Sequence, residues 1–573
     1  MVTILPFGDR ALLAETAPGE ALALHAGLAT SRPDGVVDIV PGARTVLVRV
    51  DPRALPLSAV HAWIERTAEA PGEDAAACAP RTVELDIAYD GPDLADTAGL
   101  LGVSVEALVA QHRDTAWTVA FTGFAPGFGY LLGDGWPFDV PRLDDPRTRV
   151  PAGAVGLAGA YCGAYPRATP GGWRLIGTTR ARLFDPDAAD PALLTPGTRV
   201  RFVEAEVGGP GAGGGGGAGG AAGDAGAGGA AGDAGAGGAA DDAGAGGAAG
   251  GVQNSADIDA IRHQEAVSGA GATRSTEFWT ASGPGPAFEV IEPGLRTTVQ
   301  DLGRPGHASI GIAASGALDR AALRAANRLV GNTEGAAGLE ITMGGLRAVA
   351  RRDLWIALTG AWGPISIGGR DVDPDEALEW PSGVELAVGW AAHGARTYLA
   401  VRGGIAAPVV AGSRSTDIMA GLGPAPLQAG AVVATADAAS GPVPPAEPVM
   451  AMPPPDQLAL PLAPGPRSDW FTASARRTLF DTVWTVSDRA DRVGMRLEGP
   501  VLDRVRAGEL PSEGMLPGAM QVPPDGRPTV LLADGPVTGG YPVIAVVVDA
   551  ALDALAQARP GTRIRFRHAH PPP

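Results

Sequence analysis

The sequence contains no lysine, because all 44 of its basic residues are arginines. A phosphate-binding loop of the GxxxxGK[ST] type is therefore excluded. A Schiff base on an internal lysine is excluded as well, and so is covalent attachment of biotin, which requires a lysine. Any phosphate must be bound by arginine, backbone N–H groups, helix N-termini or a metal.

Cysteine and long apolar runs are also scarce. The two cysteines, Cys78 and Cys162, are too few and too far apart for a disulfide framework or a zinc cluster. The longest apolar candidate, residues 545–556, is interrupted by Asp549 and Asp553 and is too short to span a membrane. The N-terminus lacks the basic and apolar regions of a signal peptide. We therefore expect a cytoplasmic protein that makes no contact with a membrane.

The charge balance is acidic, with a formal net charge of −19 over 573 residues. That charge argues against a nucleic-acid partner, since such binding depends on neutralising phosphates. The apolar fraction of 45% is sufficient for several globular cores. The acidic charge is typical of a soluble cytoplasmic enzyme, and the Gly-Gly turns with arginines and carboxylates favour one that acts on a small molecule.

A stretch rich in glycine, proline and aromatic residues runs from Phe121 to Asp185. Proline removes backbone donors, and glycine costs about 1 kcal/mol at each interior helix position, so the stretch is not helical. It predicts short strands and tight turns, with aromatic rings filling a small barrel.

Parts of this module recur near the end of the chain. The segment Pro196-Gly197-Thr198-Arg199-Val200-Arg201-Phe202 is matched by Pro560-Gly561-Thr562-Arg563-Ile564-Arg565-Phe566. Upstream, Gly171-Gly172-Trp173 corresponds to Gly539-Gly540-Tyr541, and Pro151-Ala152-Gly153 to Pro511-Ser512-Glu513-Gly514. Three features in one order predict two related β modules in one chain.

We therefore predict a mainly β protein with an α+β portion. The expected units are a ferredoxin-like α+β domain at 1–80, a β domain at 81–206, a disordered Gly/Ala-rich linker at 207–285, a β domain at 286–440, a proline-rich joint at 441–464 and a β domain at 465–567.

Two segments of the second half are candidates for anion binding. Arg304, flanked by Gly303 and Gly306, could present its guanidinium to a carboxylate or phosphate, or could be an exposed arginine in a turn. Ser413, Arg414 and Asp417 are typical of a helix N-terminus, where capping and anion binding are compatible.

The remaining candidates are carboxylates, a histidine and glycine-rich turns. Glu513 and Asp534 could act in acid–base catalysis or hold Mg²⁺, although loop carboxylates are commonly solvated. Arg492 could bind the ligand or belong to a surface ion-pair ladder. His112 is either catalytic or a core histidine. Trp173 is either a binding platform or a core aromatic residue.

The first half resembles the B subunit of bacterial ATP-dependent 5-oxoprolinase, a family also known as allophanate hydrolase subunit 1. The matching motifs are Gly8-Asp9, Pro41-Gly42-Ala43-Arg44, His112, Gly123-Phe124-Ala125-Pro126-Gly127-Phe128, Tyr130-Leu131, Pro151-Ala152-Gly153, Tyr165-Pro166, Pro170-Gly171-Gly172-Trp173, Ile176-Gly177 and Leu183-Phe184-Asp185.

The second half resembles the C subunit of the same enzyme, within the biotin-dependent carboxyltransferase family. The matching motifs are Gly294-Leu295-Arg296-Thr297-Thr298-Val299-Gln300-Asp301-Leu302-Gly303-Arg304, Ser315-Gly316-Ala317-Leu318-Asp319, Asn327, Gly331-Asn332, Leu339-Glu340, Gly412-Ser413-Arg414-Ser415-Thr416-Asp417, Pro464-Gly465-Pro466-Arg467, Pro511-Ser512-Glu513-Gly514, Gln521-Val522-Pro523 and Thr538-Gly539-Gly540-Tyr541-Pro542.

The resemblance implies cyclophilin-like barrels in both halves and a fusion of the two subunits. The implied activity is ATP-dependent opening of 5-oxo-L-proline to L-glutamate with a separate A subunit, using ATP and Mg²⁺. Alternatives are the carboxyltransferase part of a urea-carboxylase-like biotin system and a histidine-kinase inhibitor without catalysis. The expected catalytic residues are His112, Glu513 and Asp534, and the expected ligand-binding residues are Gln300, Arg304, Ser413, Arg414, Asp417, Arg492, Gly539, Gly540, Tyr541, Gly171, Gly172 and Trp173.

Overall fold

A computed structural model describes residues 2–69, 81–205, 285–445, 455, 457–508 and 510–569. The predicted linker at 207–285 lies outside these residues except for residue 285, and so do residues 446–454 and 456 of the predicted proline-rich joint. The described fold is mainly β, as the sequence predicts.

The N-terminal domain is a four-stranded antiparallel sheet with two helices. Its elements are β1 (Thr3–Pro6), β2 (Ala11–Glu15), α1 (Ala21–Thr30), β3 (Val36–Pro41), β4 (Thr45–Val50) and α2 (Leu57–Glu69). The strand order is β1-β2-β4-β3. This chain order is the ferredoxin-like order with its last strand moved to the front.

Both faces of that sheet are buried, each against a different partner. Strand side chains alternate between the faces, so neighbouring residues of β2 pack on opposite sides. Leu12 and Ala14 pack beneath the two helices. Ala11 and Leu13 pack against Met515 and neighbouring apolar residues of the C-terminal module. The N-terminal domain is therefore fixed to the far end of the chain.

The next module, which we call the first barrel, contains the aromatic stretch. Its elements are β5 (Thr82–Ile87), α3 (Leu94–Leu100), α4 (Val105–Asp114), β6 (Ala116–Thr122), β7 (Gly129–Asp134), β8 (Arg147–Val150), β9 (Ala154–Ala158), β10 (Tyr161–Ala164), β11 (Thr169–Gly171), β12 (Arg174–Thr178) and β13 (Arg199–Glu204). Seven strands follow the order β5-β13-β6-β7-β10-β9-β12, and a bridge between Ala88 and Thr178 joins the two edges.

The helical segment before β6 is divided into α3 and α4. Gly102 has φ +69° and lies just after the end of α3, the left-handed conformation that commonly ends helices. Ser104 then caps α4 by accepting a hydrogen bond of 3.2 Å from the Ala107 N–H.

The module at 285–445 consists of two β-sheets and one helix. Its elements are β14 (Pro286–Pro293), β15 (Arg296–Gln300), α5 (Arg320–Leu329), β16 (Gly338–Thr342), β17 (Leu346–Ala350), β18 (Leu354–Trp362), β19 (Ile365–Ile367), β20 (Arg370–Asp371), β21 (Ala377–Trp380), β22 (Glu385–Val388), β23 (His393–Val401) and β24 (Val432–Ala434). The sheet orders are β20-β19-β22-β17-β14-β24 and β15-β16-β23-β18-β21.

The last module, which we call the second barrel, is closed. Its elements are β25 (Gln457–Pro464), α6 (Ala473–Asp481), β26 (Val483–Ala490), β27 (Gly494–Glu498), β28 (Glu513–Gly514), β29 (Ala519–Gln521), β30 (Thr529–Leu531), β31 (Thr538–Gly539), β32 (Val543–Val547), α7 (Asp549–Ala556) and β33 (Arg563–His568). Its strands follow the order β25-β33-β26-β27-β30-β29-β32, which matches the first barrel strand for strand.

This correspondence confirms the internal repeat. The two shared heptapeptides lead into β13 and β33, each of which pairs in parallel with the first strand of its own barrel. The predicted joint extends too far, however, because β25 begins at Gln457. Leu458, Leu460 and Leu462 alternate into the core, although prolines flank them.

Within the described residues, no single helix is long and apolar enough to span a membrane. One pair, α3 and α4, meets the length and composition requirement together but is bent by 94°.

Candidate functional site

The two halves of the chain meet along a close seam. The Gly127 N–H donates to the Ile310 carbonyl at 3.2 Å, and the Thr122 hydroxyl donates to the Ser309 carbonyl at 2.7 Å. A Cβ on Gly123 would lie 1.8 Å from the Thr538 hydroxyl. The loop after β6 therefore lies directly against the second barrel and the residues before α5.

Backbone strain is found at this seam. Phe124 has φ +64° and Ser315 has φ +52°, in the left-handed region that non-glycine residues rarely adopt. Such conformations persist where the surrounding structure imposes them, and they cluster at functional sites. The Ser315 hydroxyl donates to Asp534 at 2.7 Å, so its strained backbone is tied to a buried carboxylate.

The buried carboxylate Asp534 is held by Arg492. The Arg492 Nε and Nη2 atoms each lie 2.9 Å from an oxygen of Asp534, and Nη1 lies 2.7 Å from Glu340. Burial alone would lower the pKa of Arg492, but the two carboxylates outweigh it and raise that pKa. Asp534 is not a solvated loop carboxylate, because it is fully buried. Arg492 is 2% exposed, so its interpretation as part of a surface ion-pair ladder is wrong.

The segment 413–417 does not begin a helix, so its interpretation as a helix cap is wrong. The hydroxyls of Ser413 and Ser415 instead donate hydrogen bonds to Asp301, which follows β15. Ser413 Oγ and Ser415 Oγ each donate to Asp301 Oδ1 at 2.6 Å, and the Arg414 N–H donates to Oδ2 at 2.6 Å. The Arg414 guanidinium donates to the Ala407 carbonyl.

Unpartnered polar atoms mark where a ligand could bind, because buried polar groups are normally hydrogen-bonded. Arg304 is 1% exposed, so the alternative of an exposed turn arginine is wrong. Its Nη2 donates to the Ser415 carbonyl. Among the described residues, Arg304 Nε and Nη1, Asp417 Oδ2 and Gln300 Oε1 have no hydrogen-bond partner.

Two small cavities place Arg304 and Asp417 at the seam. Arg304 lines one of ≈ 20 Å³ and Asp417 lines another of ≈ 20 Å³. Ala313, Gly535, Pro536 and Val537 line both cavities, so the two adjoin. We call this region, with Arg304 and Asp417 at its ends, the seam site.

Asp417 has the pKa of a group that can exchange protons near neutrality. Burial, followed by the nearby charge of Asp534, raises its pKa to about 7, while Arg304 and Arg492 act in the opposite direction. A strongly perturbed carboxyl in a cleft beside a specific charged partner is a functional-site candidate.

A third cavity, of ≈ 50 Å³, lies in the first barrel and is lined in part by the predicted Gly171-Gly172-Trp173 turn. Five aromatic side chains line it, namely Phe124, Phe128, Tyr130, Tyr165 and Trp173. Trp173 is 4% exposed and packs edge-on against Phe128, with ring centroids 5.3 Å apart. Phe124 lines both this cavity and the seam site.

Other predicted residues lie elsewhere. Glu513 is buried against Arg467, with Nε 3.0 and 3.2 Å from its two oxygens, and Arg467 also pairs with Glu15 at 2.7 Å. Burial raises the Glu513 pKa, against the opposing effect of Arg467. The pair between Arg467 and Glu15 joins the second barrel to the N-terminal domain. A catalytic role for Glu513 stays a prediction.

The turn Gly539-Gly540-Tyr541 is buried beside β28. A Cβ on Gly539 would lie 2.6 Å from the Gln521 amide nitrogen. None of the three residues lines the seam site.

His112 occupies the core of the first barrel, as the core-histidine interpretation of the sequence predicts. Its ring nitrogens lie 2.8 Å from the Tyr89 hydroxyl and 3.2 Å from the Cys162 sulfur. Burial lowers its pKa to about 3, so the imidazole is neutral at physiological pH. It lines neither seam cavity.

Sequence reasoning missed Glu340, Arg396 and Ser315 as site residues. Glu340 is a fully buried carboxylate within the apolar strand β16, and Arg396 Nε lies 3.6 Å from it. The available signal was a lone charge inside a strand that is otherwise apolar.

As they are paired in this structure, Arg492, Glu513 and Asp534 do not fit the binding of a nucleotide and its magnesium ion. Glu513 and Asp534 are each paired with an arginine. The guanidinium of Arg492 donates to Asp534, Glu340 and the Gly316 carbonyl. The described residues contain no cluster of three or more acidic, histidine or cysteine side chains arranged for a metal. Arg304 keeps two buried donors, Nε and Nη1, without a hydrogen-bond partner in the described structure.

Comparisons with known proteins agree with this architecture. Residues 2–194 match the family model described as carboxyltransferase domain, subdomain C and D, and residues 310–568 match subdomain A and B. Two β-barrel halves that meet at a buried charged seam thus define a carboxyltransferase-domain protein.

Individual relatives narrow this class. The chain is 39% identical over 282 residues to the 5-oxoprolinase C subunit of Escherichia coli K12, covering 49% of this chain and 90% of that protein. It is 41% identical over 182 residues to the 5-oxoprolinase B subunit of Escherichia coli O157:H7, covering 30% of this chain and 80% of that protein. The crystal structure of TTHA0988 has a TM-score of 0.76 and 35% identity, covering 97% of this chain and 100% of that one.

The chain belongs to the family of 5-oxoprolinase B and C subunits and carries homologues of both in one polypeptide.

Proposed function

We propose that this chain is the fused B–C component of an ATP-dependent 5-oxoprolinase, which opens 5-oxo-L-proline to L-glutamate together with a separate A subunit. The relatives that match each half support this role. The observation that carries it is the seam site, where Arg304 and Asp417 keep unpartnered atoms at the junction of the two homologous halves.

The chemistry of the seam site suits a lactam. A lactam presents its carbonyl oxygen and its N–H on the same edge, so one ligand can accept from a guanidinium and donate to a carboxylate. Arg304 would bind the carbonyl oxygen and draw charge from the amide bond. Asp417, with its pKa of about 7, would accept the N–H and exchange a proton with the ring nitrogen as the ring opens.

ATP would activate the amide by phosphorylating its oxygen, which makes the carbonyl carbon a better electrophile. Because Arg492, Asp534 and Glu513 are engaged in buried ion pairs, we assign nucleotide and magnesium binding to the A subunit. This chain would bind and orient the lactam. One water molecule would add to the activated carbonyl carbon as the C–N bond breaks, and a second would release phosphate from the resulting acyl phosphate to leave glutamate.

Reconstitution tests this proposal. The full chain is mixed with the purified A subunit, and ATP hydrolysis and glutamate release are measured with and without 5-oxo-L-proline. We expect ATP hydrolysis that depends on the lactam and yields glutamate. No lactam dependence under saturating conditions would contradict the proposal.

The family description favours one alternative, carboxyl transfer from a biotin carrier as in urea carboxylase. With no lysine in the chain, the biotin would have to reside on another protein. Transfer of labelled carboxylate from a carboxybiotin carrier to urea, without lactam-dependent ATP hydrolysis, would establish that alternative. Tight binding to a histidine kinase, with neither lactam-dependent ATP hydrolysis nor carboxyl transfer, would establish the other alternative, a histidine-kinase inhibitor without catalysis.

A further inference from the structure

The two barrels share one strand order, yet they differ in how the outer face beside the first strand is covered. In the first barrel the Asp93 N–H donates to the Leu175 carbonyl at 3.0 Å. In the second barrel the Arg467 N–H donates to the Val543 carbonyl at 3.1 Å. Asp93 and Arg467 are therefore equivalent positions.

The segments that follow these positions differ in length. Residues 94–104 lead to α4 in the first barrel and include α3, whose Leu94, Thr97 and Ala98 are buried. Residues 468–472 lead to α6 in the second barrel and form a single 3-10 turn, Ser468–Trp470. The second barrel thus lacks an equivalent of α3.

A groove of ≈ 670 Å³ lies at this place. Apolar residues of β25, β32 and α6 line it, namely Leu462, Ala463, Leu479, Phe480, Ile544 and Ala545. Leu479 is the counterpart of His112, because the Trp484 indole donates to the Leu479 carbonyl as the Trp117 indole donates to that of His112. Tyr89 covers His112 in the first barrel, whereas Leu479 faces the groove.

The rim of the groove is basic. Arg476 and Arg477 line it from α6 and are exposed. Within the described ranges neither arginine forms an ion pair, whereas many other arginines of the chain do. Asp481 is the one acidic residue that lines the groove. An occupant with an apolar face and acidic flanks would match this surface.

The geometry points to a docking groove that takes a short amphipathic helix from another protein, with small apolar residues on one face and carboxylates on the other. The helix would occupy in the second barrel the position that α3 fills in the first. α3 itself has this character, since Leu94 and Ala98 are buried and Asp96 is exposed in its first turn. The inference does not depend on the proposed function.

A helical peptide tests the groove directly. The probe is a fluorescent peptide of residues 92–104, cross-linked between positions 95 and 99, which are both exposed on α3. We expect saturable binding to the full chain in a fluorescence anisotropy titration. Ala473→Trp, which places a large ring at an exposed position lining the groove, should weaken binding at least ten-fold.

The charge contribution is tested separately. Arg476→Glu with Arg477→Glu should also weaken binding at least ten-fold, whereas Arg563→Glu, at an exposed position outside the groove, should leave it unchanged. A peptide with Leu94→Asp should not bind. No saturable binding, or equal binding by all variants, would overturn the inference.

Two further outcomes would assign the groove to a different occupant and overturn the inference. Tighter peptide binding by a chain ending at Ala569 would show that the C-terminal residues occupy the groove. An oligomer that dissociates on Ala473→Trp, measured by sedimentation velocity, would assign the groove to a second copy. Unchanged behaviour in both experiments supports an external helix.

Discussion

Arg492 and Asp534 are joined by two hydrogen bonds of 2.9 Å, and both side chains are almost completely removed from solvent. The same guanidinium reaches Glu340 at 2.7 Å, so one arginine of the second barrel holds a carboxylate of its own module and one of the preceding module. This arrangement joins the two modules beside the seam site.

Replacing Arg492 should therefore be strongly destabilising. Arg492→Gln leaves the buried Asp534 without its bidentate partner and leaves Glu340 with Arg396 alone, and breaking a buried pair in this way costs about 3–5 kcal/mol. Urea denaturation of the purified variant measures the effect. Arg496→Gln is the matched control, because Arg496 pairs with the half-exposed Asp525 and surface pairs contribute about 0–1 kcal/mol. Equal losses in the two variants would contradict the role assigned to Arg492.

Gly123 should be required for stability because a side chain there would collide with Thr538, and not because the backbone conformation demands glycine. Its φ is not left-handed, but an added Cβ would lie 1.8 Å from the Thr538 hydroxyl. We expect Gly123→Ala to lower the thermal midpoint and Thr538→Ala in the same chain to restore part of it. Gly99→Ala, where an added Cβ meets nothing within 4 Å, should not lower the midpoint. Additive effects in the double variant would argue against a direct contact.

Asp417 should make stability depend on pH. Its pKa rises from 3.8 to about 7 on folding, so the folded chain holds one more proton than the unfolded chain between these values. The stabilisation by this proton is complete below about pH 4 and is lost as pH rises through 7. Asp319, whose burial raises its pKa to about 6, acts in the same direction.

Comparison with Asp417→Asn isolates the contribution of Asp417, since the amide cannot ionise and Asp319 is retained. Urea midpoints at pH 5, 6, 7 and 8 should fall more steeply for the wild type than for the variant. The variant should be the more stable of the two at pH 8. Parallel pH profiles would show that Asp417 ionises normally in the folded chain.

The sequence sufficed for features that depend on local pattern. The matched heptapeptides that lead into β13 and β33 predicted two related barrels, because each contains the turn and the start of the strand that pairs in parallel with its barrel's first strand. The aromatic residues of the glycine-rich stretch fill the first barrel, as in the ring stack of Phe121 on Tyr130 at 4.4 Å.

The seam site depends on contacts between residues that are distant in sequence. Asp301 accepts hydrogen bonds from Ser413 and Ser415, a pairing that local pattern cannot distinguish from a helix cap. The burial of Arg304 likewise depends on the fold around it. Sequence reasoning therefore identified many of the residue types at the seam but not their partners, and it grouped Glu513 with Asp534 although Glu513 pairs with Arg467.

The most direct test of the account is lactam-dependent ATP hydrolysis by this chain with its A subunit, compared for wild type, Arg304→Gln and Arg496→Gln. Thermal midpoints of the three proteins establish that each is folded at the assay temperature. The account predicts that Arg304→Gln loses at least 100-fold in kcat/KM for the lactam, about 2.7 kcal/mol of transition-state stabilisation, while Arg496→Gln matches the wild type. Wild-type kcat/KM in folded Arg304→Gln would contradict the seam site as the place where the lactam binds.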